Sequence, residues 1–327
     1  MIKLKLPFGK REEFPDQFFA LDLGGRVLKA FVLNCDKGTV SSLGSRKITR
    51  GDEPEEAITS FKEAIEELRE DFPEAEPQAV VGISGPESLA FTTVVRSATT
   101  KDIEELTKVA REQALSAAQR ELRRSFGDTK LSAVEIEAEI LEVKEADKLE
   151  VYLFTSFATD DFLSRQANLA KRAGLTLWGY SSLPFNLVTE LSKLETGELN
   201  ALVFDLGGSK TETSLVFGSQ LMETQSFYWD FVENGNPAAF LDLWLEAVST
   251  SLSAFDGVDV FPSKIFLTGG ASAFPGLLEV VSSYPWSRDH PFDVAPEIVS
   301  LDADRLPLSL GQVALRVKEE TDERGAE

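Results

Sequence analysis

The sequence predicts an α/β protein built from two related halves, with a block of strands and one long helix set between their motifs. Three observations carry this. Phe18-Phe-Ala-Leu-Asp22-Leu-Gly-Gly25 returns as Ala201-Leu-Val-Phe-Asp205-Leu-Gly-Gly208, with Asp205 183 residues after Asp22. In both copies a second apolar run follows, Ala30 to Leu33 and Ser214 to Phe217, so each reads as strand, glycine turn, strand. A third glycine feature, Ile265-Phe-Leu-Thr-Gly269-Gly-Ala-Ser-Ala-Phe-Pro275, reads as strand, turn and helix start, with Pro275 suited to a first helical turn.

The elements between these motifs follow from periodicity. Asp52 and Glu55 can cap a helix whose apolar positions Ile58, Phe61, Ile65, Leu68 and Phe72 keep helical spacing. Gln78 to Ile83 and Leu89 to Val95 read as strands. Thr99 and Asp102 signal a second helix start, and Ile103, Leu106, Ala110, Ala114, Ala117 and Leu122 mark one face of a long helix. Val134, Ile136, Ala138 and Ile140 alternate with acidic residues as in a half-exposed strand, and Glu150 to Phe157 form an apolar one. A helix over 161–173, a strand over 175–180 and a helix over 184–194 complete the first part. After the second Asp-Leu-Gly-Gly a helix over 237–255 is expected, and the chain closes with a helix over 306–320.

Composition narrows the function classes. The 327 residues are 43% hydrophobic and 27% charged, enough apolar content for a substantial core. With 33 basic against 55 acidic residues the formal charge is −22, which repels phosphate backbones and argues against nucleic-acid binding. Cys35 is the only cysteine and His290 the only histidine, so no internal disulfide and no Cys/His metal site can form. No run approaches the ~18 apolar residues of a membrane span, and the start lacks a signal-peptide pattern, so a cytoplasmic protein is expected. Lys3, Lys5, Lys10 and Arg11, with no acidic residue among them, read as a solvated basic tail, with an anionic membrane surface or an acidic partner as the alternative resting place.

A glycine pair after a buried strand lets backbone N–H groups approach phosphates, and an aspartate at the strand end can hold Mg²⁺ through water. A tight hairpin turn would need the same residues. The first hairpin, Asp22-Leu-Gly-Gly-Arg-Val-Leu-Lys29, the second, Asp205-Leu-Gly-Gly-Ser-Lys-Thr, and the turn Leu267-Thr-Gly-Gly-Ala together resemble the actin-like branch that contains the pilus assembly protein PilM and the division protein FtsA. The likeness spans about residues 16 to 317, and Ala173-Gly-Leu175 and Leu306 to Arg316 are similar to PilM segments.

The resemblance implies an actin-like fold of duplicated ribonuclease H-like halves, with an inserted strand-helix-strand-strand subdomain. It assigns residues 16–77, 158–200 and 306–320 to the first half, 78–157 to the insertion and 201–305 to the second half. The short stretch from Asp205 to Gly269 implies that the second-half subdomain is reduced. ATP and Mg²⁺ are implied as weak or lost ligands, with Asp22, Gly24, Gly25, Lys29, Asp205, Gly207, Gly208, Gly269 and Gly270 as the binding residues and Asp22 and Asp205 on the metal. Arg26 and Val27 stand where family members carry small hydroxyl residues, which removes phosphate donors.

The polar residues 321–327 favour PilM over FtsA, whose members end in a membrane-targeting helix. A PilM-like chain implies a cytoplasmic scaffold for type IV pilus or related secretion-filament assembly. Its partner is the N-terminal tail of a PilN-like membrane protein, which holds it at the inner membrane, and self-association as a homo-oligomer is compatible with the sequence. The alternative is an active FtsA/PilM-like ATPase with Asp22 and Asp205 handling Mg²⁺. A sugar kinase fits poorly, because its cysteine-rich zinc motif needs more than one cysteine. Ser84 in Gly82-Ile-Ser-Gly85 lacks the surroundings of a serine nucleophile.

Overall fold

The computed structural model describes residues 15–317 apart from 37, 51–53, 101, 146, 232–236, 256 and 303. The basic segment at Lys3 to Arg11 and the cap expected at Asp52 lie outside the described residues.

The first half begins with β1 (Gln17–Leu23), β2 (Val27–Asp36) and β3 (Thr39–Thr49), an antiparallel meander. Helix α1 (Pro54–Asp71) then leads to β4 (Gln78–Ile83), which lies parallel to β1. β5 (Ser88–Ser97), α2 (Ile103–Phe126), β6 (Ala133–Glu145) and β7 (Leu149–Thr159) follow as a unit in which β7 pairs antiparallel with both β5 and β6. The Asp102 carboxylate accepts from the N–H groups of Glu104 and Glu105 and caps α2, and Gly127 in the left-handed region ends it. The chain returns through α3 (Asp160–Arg172), capped by Thr159, to β8 (Thr176–Ser182), parallel to β4, and α4 (Leu183–Leu194).

The second half repeats this order. β9 (Ala201–Leu206), β10 (Lys210–Phe217) and β11 (Gln220–Tyr228) form an antiparallel meander, followed by α5 (Pro237–Leu252) and β12 (Lys264–Thr268), parallel to β9. α6 (Leu277–Ser283), α7 (Trp286–Asp289) and β13 (Glu297–Ser300), parallel to β12, lead to α8 (Arg305–Ser309) and α9 (residues 311–317). The single helix expected over 306–320 is thus broken by a turn at Leu310, and residues 318–320 lie outside the described residues.

The two sheets show the duplication directly. One runs β3-β2-β1-β4-β8, and the other contains β11-β10-β9-β12-β13, the same strand order and directions. In β1, Phe18 and Ala20 face one core while Phe19 and Leu21 face another, as the two-residue repeat of a strand buried on both faces requires. The shared inner core holds side chains of both sheets around α4 and the 310–314 segment; Phe61, Ile65 and Leu68 of α1 cover the outer face of the first sheet, and Leu241, Trp244 and Val248 of α5 that of the second.

Three strands were not visible in the sequence. β3 is polar and largely exposed, and β11 and β13 are half-buried without clean alternation, so hydrophobic patterning gave no signal. Membership of the inserted block also needs correction. β4, counted within 78–157, sits between β1 and β8 in the first sheet. The strand-helix-strand-strand unit is β5-α2-β6-β7, and through the Phe91–Glu223 pair β5 continues the second sheet into one of eight strands, ending at β6.

Candidate functional site

The strand ends of both halves converge on one cleft. Asp22 lies at the end of β1 and Lys29 opposite it on β2, and their side chains meet at 3.3 Å. Asp205 holds the matching position on β9, with Glu212 opposite it on β10. The turns themselves touch. A Cβ added at Gly25 would clash with Ser209 Oγ, and one at Gly208 would lie 2.7 Å from the Cβ of Arg26, so only glycine allows this approach. Gly269, at φ +92°, packs against Asp205 and the Leu206 carbonyl, while Ala271 N–H donates to that carbonyl at 2.8 Å. Gly207 N–H donates to the Lys210 carbonyl at 2.9 Å and closes the second hairpin. Gly24 sits inside the first turn beside Asp22, and Gly270 has open space around it.

Sequence reasoning missed the residues that fill this cleft. Lys210 Nζ meets Ser84 Oγ, just beyond β4, and Gly85 N–H donates to Glu212 Oε2 at 2.7 Å. Ser84, weighed earlier as a nucleophile, is buried on a lysine, whereas His290 bonds Ser249 at 2.8 Å. Burial drives the Asp205 carboxyl up to about 6; Lys210 and Lys29 oppose this, and Asp22 adds to it. Burial likewise raises Glu212 to about 7, against the pull of Lys210 and the Gly85 N–H. The alternation Lys210-Thr-Glu-Thr placed Lys210 and Glu212 on one face, and that was the available signal.

The chain beyond β11 crosses the same place. Trp229 N–H donates to the Ser209 carbonyl at 3.1 Å and Phe231 N–H to the Gly208 carbonyl at 3.2 Å. Between them Asp230 takes Arg26 in two hydrogen bonds of 2.6 Å each. The Phe231 ring packs on Phe240, Trp244 and Phe274, the last just beyond the Gly269 turn.

These residues do not fit Mg-ATP in this arrangement. The two turns that would hold phosphates are in contact, Asp22 is taken by Lys29, and the segment 229–231 lies on the second turn. Among the described residues no group of three or more His, Cys, Asp or Glu is placed to hold a metal ion.

A second polar centre ties the inserted unit to the rest. Glu137 of β6 accepts from Arg316 of α9 at 2.5 Å and from the Ser182 N–H at 3.1 Å, and Ser181 Oγ lies 3.1 Å away. Phe185 of α4 stacks on Phe154 of β7 at 3.8 Å between centroids, with the Arg316 guanidinium 5.0 Å from its ring. Glu137 thus ties β6 to the end of β8, and among the described residues no strand pairs with the outer side of β6.

No protein-family profile matches the chain, and no curated protein matches it by sequence. Solved structures do. A chain of the PilM-PilN type IV pilus biogenesis complex superposes with a TM-score of 0.60 at 14% identity, over 94% of this chain and 99% of that one. A Bacteroides thetaiotaomicron protein with an actin-like ATPase fold gives 0.44 at 9% identity, over 90% and 96%. The cytoplasmic domain of EpsL, an inner membrane component of the type II secretion system of Vibrio cholerae, gives 0.44 at 10%, over 92% and 95%. With the duplicated strand order and the paired glycine turns, the first of these likenesses identifies the chain as an actin-like fold, built on the architecture found in the PilM-PilN complex.

Proposed function

We propose that this protein is a binding scaffold of type IV pilus or related secretion-filament assembly, which takes an extended tail of a PilN-like membrane protein beside the inserted unit and binds ATP weakly or not at all. The observation that carries the reading is that β6 ends the eight-stranded sheet, with no described strand paired on its outer side, in a chain that matches nearly the full length of its counterpart in a PilM-PilN complex. A strand that ends a sheet presents unpaired N–H and C=O groups, to which an extended peptide adds with main-chain hydrogen bonds.

Charge selects the kind of tail. The chain carries a net charge of −22, and Glu139, Glu142 and Glu145 lie on the accessible part of β6, so a tail carrying arginine or lysine associates faster at low salt. Such a partner, anchored by its own membrane helix, would hold the scaffold at the cytoplasmic face of the inner membrane. The chain itself has, among its described residues, no helix long and apolar enough to cross a membrane.

The test is a fluorescence-anisotropy titration of labelled PilN-like tails against the full chain and a Glu139→Arg/Glu142→Arg variant. Saturable binding that weakens at least several-fold in the variant is expected. Equal binding by both proteins would place the tail elsewhere, and no binding by either would refute the partner.

A further inference from the structure

We infer that the cleft between the halves is latched by the chain itself: Asp230 gives Arg26 the anion that a bound phosphate would supply, so the closed arrangement needs no nucleotide. The inference rests on the cleft alone and is independent of the partner proposed above.

The latch is built from both sides. Arg26 projects from the first glycine turn, and its Nε and Nη2 reach the two oxygens of Asp230, 204 residues away, each at 2.6 Å. This two-point geometry is the strong form of an arginine–carboxylate contact. The pair is partly exposed, with side chains 41% and 57% accessible, and a solvated ion pair alone holds little. Asp230, however, is fixed by its neighbours. The Trp229 and Phe231 N–H groups bond the carbonyls of Ser209 and Gly208, and the Phe231 ring is anchored among Phe240, Trp244 and Phe274 of the second half. The carboxylate therefore pays little conformational entropy when Arg26 closes on it.

The Arg26 stem adds to this by lying across Gly208, where no side chain intervenes. Deeper in the cleft Lys29 sits on Asp22, and Lys210 acts on both Asp205 and Glu212. The carboxylates that could attract a divalent cation are thus compensated by two ammonium groups of the protein. The arginine of the first turn and Asp22 of β1 are thus both paired within the chain.

The measurement is the distance between the halves in the full-length protein. Spin labels at Glu63→Cys on α1 and Glu246→Cys on α5 occupy exposed positions, and the native Cys35 is buried. One narrow distance population is expected, unchanged by millimolar Mg-ATP. Arg26→Glu should broaden it toward longer distances, and Arg26→Glu with Asp230→Arg should restore it. Should Arg26→Glu not fold, as judged by circular dichroism, Arg26→Gln is read in the same way. A distance shift on adding Mg-ATP to the otherwise unaltered protein, an Arg26 variant with the original distribution, or a charge swap that fails to restore it would each overturn the latch.

Discussion

Arg316 and Glu137, 179 residues apart, meet at 2.5 Å in a site where Glu137 is almost wholly buried. The contact joins three parts of the chain: β6 of the inserted unit, the β8–α4 corner through Ser181, Ser182 and Asn186, and the last described helix. Desolvating both charges costs free energy, and the hydrogen bonds from Ser181 and Ser182 offset part of it. The pair is therefore better read as fixing where the inserted unit sits than as a large net source of stability.

Removing one partner should be much worse than removing both. Arg316→Ala leaves a buried carboxylate without its cation and is expected to cost about 3–5 kcal/mol, whereas Arg316→Met with Glu137→Gln should recover much of that loss. Urea unfolding of Arg316→Met, Glu137→Gln and their double gives the coupling directly.

The cleft carboxyls set a pH dependence. Glu212 rises from 4.5 to about 7 and Asp205 from 3.8 to about 6, so the folded protein binds more protons than the unfolded chain across that range. Their contribution to stability is complete below the unfolded values and is lost as pH rises through about 6 and then about 7. Glu212→Gln keeps an acceptor for the Gly85 N–H and removes the upper titration. It should flatten the decline in unfolding free energy between about pH 5 and 7.5, an effect on the order of 1–3 kcal/mol.

Nucleotide should have little effect on the folded state. Millimolar Mg-ATP is expected to move the thermal midpoint by no more than about 1–2 °C, the shift that a ligand near or below its Kd produces. Hydrolysis should stay at the level of a blank, and Asp22→Ala should not change it. Micromolar binding by calorimetry, with turnover abolished by Asp22→Ala, would favour the active ATPase instead.

How much of this was legible in the sequence depended on range. The hairpins β1/β2 and β9/β10 announced themselves because the Asp-Leu-Gly-Gly repeat sets a glycine pair between two buried apolar runs. Asp102 was readable as a cap for a local reason, since its partners Glu104 and Glu105 are two and three residues away. The meander strands β3 and β11 gave no such signal, because they are polar or half-exposed and are held by neighbours. β4 was grouped with the inserted strands by the family resemblance, and periodicity could not correct this because it shows a strand without showing which sheet it joins.

The candidate site divides in the same way. Asp22, Lys29, Asp205, Gly208 and Gly269 do gather at one cleft. What closes that cleft is a set of pairs distant in sequence, Arg26 with Asp230, Lys210 with Ser84, and Gly85 with Glu212. Residue types and spacing cannot pair positions that far apart, so the sequence exposed the residues that meet in the cleft and not the pairs that close it.

Hydrogen exchange of the full-length protein with and without a saturating PilN-like tail tests the scaffold reading most directly, because main-chain pairing protects amides. The account predicts new protection along β6, from Ala133 to Glu145, with the turns at Gly24 to Arg26 and Gly207 to Ser209 unaffected. Protection confined to those turns, or none on β6, would contradict it.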